Sequence, residues 1–200
     1  VMPMAINEAI QMAKQAGTGT ITVRRSQHIA SLAAYLSLAT EQGMMVSLMC
    51  STPGQRAVAP FGAKQAVYSP NPFAVGVPSS GDPILLDISL SMTAAGKVRQ
   101  AKANQQKLPY NALVTAQGEW TDDPETFFSE PGSAIGPLGG ELLGYKGYGL
   151  TLFSELWTMA LAQYGRNQGK DEGDANCVWV QVIDPSAFGE QKAFITQVDE

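Results

Sequence analysis

The stretch Ala66-Val67-Tyr68-Ser69-Pro70-Asn71-Pro72-Phe73-Ala74-Val75-Gly76-Val77-Pro78-Ser79-Ser80-Gly81-Asp82-Pro83-Ile84-Leu85-Leu86-Asp87 decides the fold class. It holds three short apolar runs, 66–68, 73–77 and 84–87, divided by proline, glycine, serine and asparagine. Gaps this short leave no room for a crossover helix, so the runs predict hairpins and antiparallel pairing. Pro70 and Pro72 fix their own φ, and a residue before proline is pushed towards extended backbone. Ser69 to Pro72 therefore predicts a rigid turn with Asn71 extended.

Upstream, residues 3–16 carry Ala5, Ile6, Ala9, Ile10 and Ala13 at helical spacing, with Pro3 suited to a first turn and Gly17 to a stop. Residues 18–24 alternate and are rich in β-branched side chains, which predicts a strand. A second helix is expected over 29–42, ended by Gly43, and a buried strand over 44–49. Strand, helix, strand in that order predicts one parallel pair with a right-handed crossover.

Downstream, a helix is expected over about 91–103. A hairpin is expected where 112–115 and Trp120 flank Gln117-Gly118. Residues 127–141 look like loop. The longest helix is expected over 148–164, with Leu150, Phe153, Leu156, Trp157 and Leu161 facing the core. A polar surface loop over 165–174 and a last strand over 177–183 complete the chain, and no internal repeat is visible. The sum is a mixed sheet with helices on its faces. The sequence has no G-x-G-x-x-G after its first strand and no G-x-x-x-x-G-K-[ST], the two glycine-rich phosphate cradles.

Composition narrows the partners. The 200 residues suffice for one domain with a real core, or one domain plus pieces of another. At 44% hydrophobic and 16% charged, the chain reads as ordered and globular. A net charge of −5 with no basic block argues against nucleic acid. Cys50 and Cys177 lie far apart, and one histidine cannot complete a zinc site with them, so no metal is expected. They read as buried thiols in a reducing cytoplasm. No apolar run is long enough for a membrane span, and no leader is evident. The chain opens at Val1 and closes on Val198-Asp199-Glu200, so both ends read as internal to a longer protein.

Three residues could carry chemistry. His28 sits where a strand hands over to a helix and can exchange protons near neutral pH; equally, it could be a helix-start histidine with a satisfied hydrogen bond. Lys146 lies in Gly144-Tyr145-Lys146-Gly147-Tyr148-Gly149, just ahead of the expected long helix. There it could meet a phosphate beside free N–H groups, or simply be solvated. Asp87 ends an apolar strand, where it could accept from ribose hydroxyls or cap the helix expected from Ser91.

These segments, in order, resemble the malate/L-lactate dehydrogenase family, whose dinucleotide site is not of Rossmann type. The pieces that carry the resemblance are Val23-Arg24-Arg25-Ser26-Gln27-His28, Val58-Ala59-Pro60-Phe61-Gly62 and Asn71-Pro72-Phe73-Ala74. Leu86-Asp87-Ile88-Ser89, Gly96-Lys97-Val98-Arg99 and Thr121-Asp122-Asp123-Pro124 follow. The last are Pro137-Leu138-Gly139-Gly140, Gly144 to Leu150, and Asp184-Pro185-Ser186-Ala187-Phe188-Gly189. Each is weak alone; the ordered set is specific and covers almost the whole chain.

The resemblance implies an α/β, three-layer architecture with a mixed, largely antiparallel sheet and a non-Rossmann NAD(P)-binding fold. It implies an oxidoreductase moving a hydride between NAD or NADP and a small 2-hydroxy or 2-oxo acid, and a cytoplasmic homodimer when full length. It matches His28 to the catalytic histidine and Ser51, Asp87, Ile88, Ser89 and Lys146 to cofactor-binding positions. Residues 1–200 would be the central cofactor-binding part, without the N-terminal Asp-Ser-His-Gly segment with its carboxylate-binding arginine, and without the C-terminal part. Arg24, Arg25 and Arg56 could meet a 2′-phosphate or be solvated. One departure stands out: Gln27-His28-Ile29-Ala30 replaces the family's frequent Asn-His-Phe-Gly. The alternative is a catalytically inactive scaffold that keeps the fold.

Overall fold

The computed structural model describes residues 1–169 and 172–200. The chain divides into two compact units. The first comprises Val1–Pro53, Pro72–Ile88 and Leu156–Glu200; the second comprises Gly54–Asn71 and Ser89–Glu155.

The first unit opens with helix α1 (Met2–Ala16), which buries Met2, Ala5, Ile6, Ala9, Ile10 and Ala13. Gly17 ends it at φ 80°, a left-handed turn that costs glycine least. The sheet of this unit contains β1 (Thr18–Ser26), β2 (Met45–Ser51), β3 (Phe73–Val77), β4 (Ile84–Ile88) and β8 (Asn176–Ile183), in the order β1-β8-β2-β3-β4. Every neighbouring pair is antiparallel. The β3–β4 hairpin fulfils the expectation for 73–87. α1 lies against β1, and at Gly19 a Cβ would sit 2.1 Å from the Ala9 carbonyl oxygen, so only glycine allows that approach. Ile6, Ile10, Leu32, Leu36, Leu48, Val178 and Val180 form the centre of the core.

Two expectations fail here. β1 and β2 do not pair in parallel: β8 lies between them, antiparallel to both. A strand that arrives so much later in the chain leaves no local trace in the segment it joins. The helix over 29–42 breaks into a 3-10 turn (Leu32–Tyr35) and the short α2 (Ser37–Thr40). Ala30, at φ 58°, cannot lie in a right-handed helix, yet Leu32, Leu36 and Ala39 still face the core.

The second unit holds α3 (Ala95–Ala103), a small antiparallel sheet ordered β6-β5-β7, and α4 (Gly140–Glu155). The sheet strands are β5 (Leu113–Val114), β6 (Trp120–Thr121) and β7 (Ala134–Ile135). The β5–β6 hairpin is the one expected around Gln117-Gly118, with Gly118 at φ 95°. Val58, Val98, Leu113 and Ile135 anchor this unit's core. Residues 66–68 form no strand, only a bridge from Tyr68 to Val58. Asn71 is not extended but left-handed, at φ 45°, where asparagine is better tolerated than most residues.

α4 starts eight residues earlier than expected and buries Gly140, Gly144, Gly147, Thr151 and Ser154. Its small residues face inward because the backbone of Leu138 runs against it: a Cβ on Gly147 would lie 2.2 Å from the Leu138 oxygen. Leu150, Phe153, Leu156, Trp157 and Leu161, expected in the core, are exposed, Leu156 to 57%. A π-helical turn (Leu156–Ala160) follows in the first unit, and α5 (Arg166–Gly169) occupies part of the expected 165–174 loop. Residues 170 and 171 of that loop lie outside the described residues. The chain ends with α6 (Gln191–Asp199).

Candidate active site

The site is built at the end of β1. Val23 pairs with Val178 and Ser26 with Asn176, so β1 carries one extra residue there. Such a bulge re-aims the strand that follows it. Arg25 takes the left-handed position at φ 57°, and its Nε donates to Glu172 Oε2 at 3.0 Å. The Tyr164 hydroxyl donates to the same oxygen at 2.6 Å. That hydrogen bond holds the Tyr164 phenol above its ordinary pKa and the Glu172 carboxyl below its own; desolvation adds to the first and opposes the second, while Arg25 favours the carboxylate.

Beyond the bulge, the loop carrying His28 is held on both sides. Asn176, buried at the start of β8, donates from Nδ2 to the Gln27 carbonyl at 3.3 Å. Its Oδ1 accepts from the Thr52 hydroxyl at 2.7 Å. Tyr35 donates its hydroxyl to the Ile29 carbonyl at 2.7 Å, and the Ile29 side chain is buried. His28 between these anchors is exposed, and its Nδ1 accepts from the Ala30 N–H at 3.1 Å. Its Nε2 makes no hydrogen bond among the described residues.

Asp87 is exposed on β4 and ties the same loop to the sheet. Its Oδ2 accepts from the Ser31 hydroxyl at 2.9 Å and from the Ala33 N–H at 2.8 Å. Asp87 does not cap the helix expected from Ser91: α3 starts at Ala95 with Ala94 at its N-terminal cap and no side-chain cap, and Asp87 instead takes the N–H of Ala33 in the 3-10 turn after His28. Oδ1 makes no hydrogen bond among the described residues, so one carboxylate oxygen is open to a hydroxyl. Ile88 pairs with Phe73 at the end of β4 and is exposed. Ser51 differs: it is buried, and its hydroxyl accepts from Thr158 at 2.8 Å.

In the second unit, Ser89 donates to the Ser91 carbonyl at 3.3 Å. Lys146 is exposed on the second turn of α4, 5.9 Å from the Tyr145 ring centroid. It is not ahead of the helix: α4 begins at Gly140, whose N–H already donates to the Pro137 carbonyl at 3.0 Å, so the free N–H groups expected beside Lys146 are not there. A hollow of about 240 Å³ in this unit is lined by Phe61, Lys64, Trp120, Pro137 and Glu141, bringing two of the resembling motifs together. Among the described residues, no three histidine, cysteine or acidic side chains group to hold a metal ion.

His28 stood out as a candidate because it is the one histidine and follows a strand. Asn176, Tyr35 and Thr158 were missed. Asn176 reaches the loop only through the sheet order, Tyr35 reaches it through the turn at Leu32–Tyr35, and Thr158 bonds Ser51 and not the loop.

The family model for malate/L-lactate dehydrogenase matches residues 1–200. The chain belongs to that family. It is 33% identical over 189 residues to a malate dehydrogenase of Pyrococcus horikoshii, covering 90% of this chain and 51% of that protein. It is 30% identical over 193 residues to a (2R)-3-sulfolactate dehydrogenase (NADP(+)) of Chromohalobacter salexigens, covering 92% and 55%. Among solved structures, the sulfolactate dehydrogenase of Methanocaldococcus jannaschii superposes with a TM-score of 0.84 at 29% identity, covering 100% of this chain and 57% of the other. The chain thus spans about half the length of the relatives it matches. The fold is the family's and not the Rossmann fold.

Proposed function

We propose that the full-length protein is an oxidoreductase that moves a hydride between NAD or NADP and a small 2-hydroxy or 2-oxo acid, with residues 1–200 as its central cofactor-binding part. The observation that carries this reading is the exposed His28 ring, held between two anchored carbonyls in a chain matched along its whole length by the family. The overall conversion is 2-hydroxy acid plus NAD(P)⁺ to 2-oxo acid, NAD(P)H and a proton. The bound nicotinamide supplies or takes the hydride at C2. His28 exchanges the proton with the oxygen on that carbon, a role worth about 10²–10⁴ in rate.

The residues present fit a dinucleotide. Asp87 offers its open Oδ1 to a ribose hydroxyl, beside Ile88 and Ser89. Lys146, exposed on α4, offers a full positive charge to a phosphate. Ser51, buried at the end of β2 with its hydroxyl bonded to Thr158, is the remaining matched position. In this reading the enzyme is a cytoplasmic homodimer. Among the described residues, no helix is long and apolar enough to cross a membrane.

The test is titration of NADH and NADPH into the full-length protein, read by nicotinamide fluorescence, with Asp87→Ala and Lys146→Ala alongside. Tight binding that both variants weaken supports the reading and identifies the cofactor. No binding of either cofactor overturns it in favour of a scaffold.

A further inference from the structure

We propose that Ala30 is a positioning residue that sets the tautomer of His28, keeping the ring proton on Nε2 and presenting a donor to the C2 oxygen of a 2-oxo acid. The proposal rests on the proton-carrying role assigned to His28 above.

A neutral imidazole has one N–H and one lone-pair nitrogen, and the partner of one decides the state of the other. A backbone N–H can only donate. With the Ala30 N–H 3.1 Å from Nδ1, Nδ1 must accept and the hydrogen belongs on Nε2. That nitrogen makes no hydrogen bond among the described residues, and the ring is exposed, so the donor is available to a ligand.

The contact depends on backbone conformation. The direction of the Ala30 N–H is set by the backbone of Ile29, whose carbonyl is held by Tyr35, and Ala30 carries the chain on from that peptide at φ 58°. An alanine tolerates this conformation poorly, glycine takes it freely, and a β-branched side chain is excluded. Ala30 stands where the resemblance expects glycine, so this chain keeps the turn while giving up the residue that suits it.

The tautomer suits one half of the reaction. A carbonyl oxygen accepts the Nε2 proton directly; a hydroxyl group offering its own proton needs a lone pair there. In reduction, the Nε2 proton would pass to the C2 oxygen while a bound nicotinamide would supply the hydride to C2. Solvent would return one proton to the ring, so that the sum is 2-oxo acid, NAD(P)H and a proton to 2-hydroxy acid and NAD(P)⁺.

Long-range ¹H–¹⁵N spectra of the full-length, ¹⁵N-labelled protein test this without turnover, with His28→Gln to identify the ring signals. The expected neutral His28 carries hydrogen on Nε2 and none on Nδ1. Ala30→Gly keeps that pattern, and Ala30→Val moves it towards a mixture. With the 2-oxo acid as substrate, Ala30→Val raises KM about tenfold, the size of one lost hydrogen bond, while Ala30→Gly stays near the parent. If Ala30→Val does not fold, the parent and Ala30→Gly spectra decide. A parent ring protonated on Nδ1 in an active enzyme overturns the role of Ala30 and leaves the function standing. An Nε2–H ring in a protein that binds no dinucleotide overturns the function, and with it any substrate for the donor to meet.

Discussion

Asn176 reaches from the first residue of β8 to the carbonyl of Gln27, immediately before His28, across 149 positions of sequence. Its other amide atom takes the Thr52 hydroxyl, so one buried side chain joins the ends of β1, β2 and β8. Replacing it with alanine leaves the Gln27 carbonyl and Thr52 without this partner. Asn176→Ala should cost about 1–3 kcal/mol in urea unfolding. Under the proposed function, turnover of the full-length protein should fall further than that loss of folded protein explains. Unchanged stability and turnover would show that the loop holds its place without Asn176.

The small-residue face of α4 gives a second prediction. Gly147→Ala places a methyl 2.2 Å from the Leu138 oxygen, a backbone atom that cannot swing aside. The expected loss is about 1–3 kcal/mol, read as a lower Tm, because overpacking forces the helix away from its support. Gly149→Ala, where nothing lies within 4 Å, is the matched control and should be neutral or slightly stabilising.

Both cysteines should be inert in the folded protein. Burial pushes the Cys50 thiol up to about 12, with Cys177 and Asp174 adding to the effect, and pushes Cys177 up to about 11. The thiolate is the reactive form, so neither should react with a thiol reagent at pH 8 until the protein is unfolded, when both should. Cys50 pairs across the sheet with Val178 and Ser51 with Cys177, which sends the two sulfurs to opposite faces. Oxidation should therefore form no bridge between them. Rapid labelling of the native chain would contradict the buried placement.

The Glu172 carboxyl, held below its ordinary value chiefly by Tyr164, gives an acid dependence. Its contribution to stability is present above the unfolded carboxyl's pKa and is lost as pH falls through the lower folded value. Tyr164 behaves oppositely. Its raised phenol contributes below the unfolded tyrosine pKa, and the contribution disappears as pH rises through the folded value. Glu172→Gln should flatten the acid limb of a Tm-against-pH curve relative to the parent. It should also return one tyrosine absorbance titration towards the ordinary range. A variant whose acid limb matches the parent would show the pair to be fully screened.

Much of the first unit was legible because its signals are local. The α1 spacing, Gly17 and the proline-bounded 73–87 hairpin each contain their own explanation. The hairpin at Gln117-Gly118 was readable for the same reason. The path from 26 to 42 was not, since Ala30 turns left-handed and Asp87 claims the Ala33 N–H from another strand. The α4 face was misread because large apolar residues were assumed to point inward, whereas close backbone approach selects the smallest residues. The identity of His28 as a candidate came from residue type and position. What holds it, Asn176 and Tyr35, depends on tertiary contacts that periodicity cannot report.

The place of β8 between β1 and β2 sets an order for assembly. β2 can find β3 soon after both leave the ribosome, but β1 has no partner until Asn176–Ile183 has been made. Until then, α1 and the apolar side of β1 form a half-built layer, and the loop bearing His28 lacks its tether to Asn176. Closure of so long a loop is slow, and the waiting strand is open to foreign pairing. The loop bearing His28 is thus encoded early and set in place late.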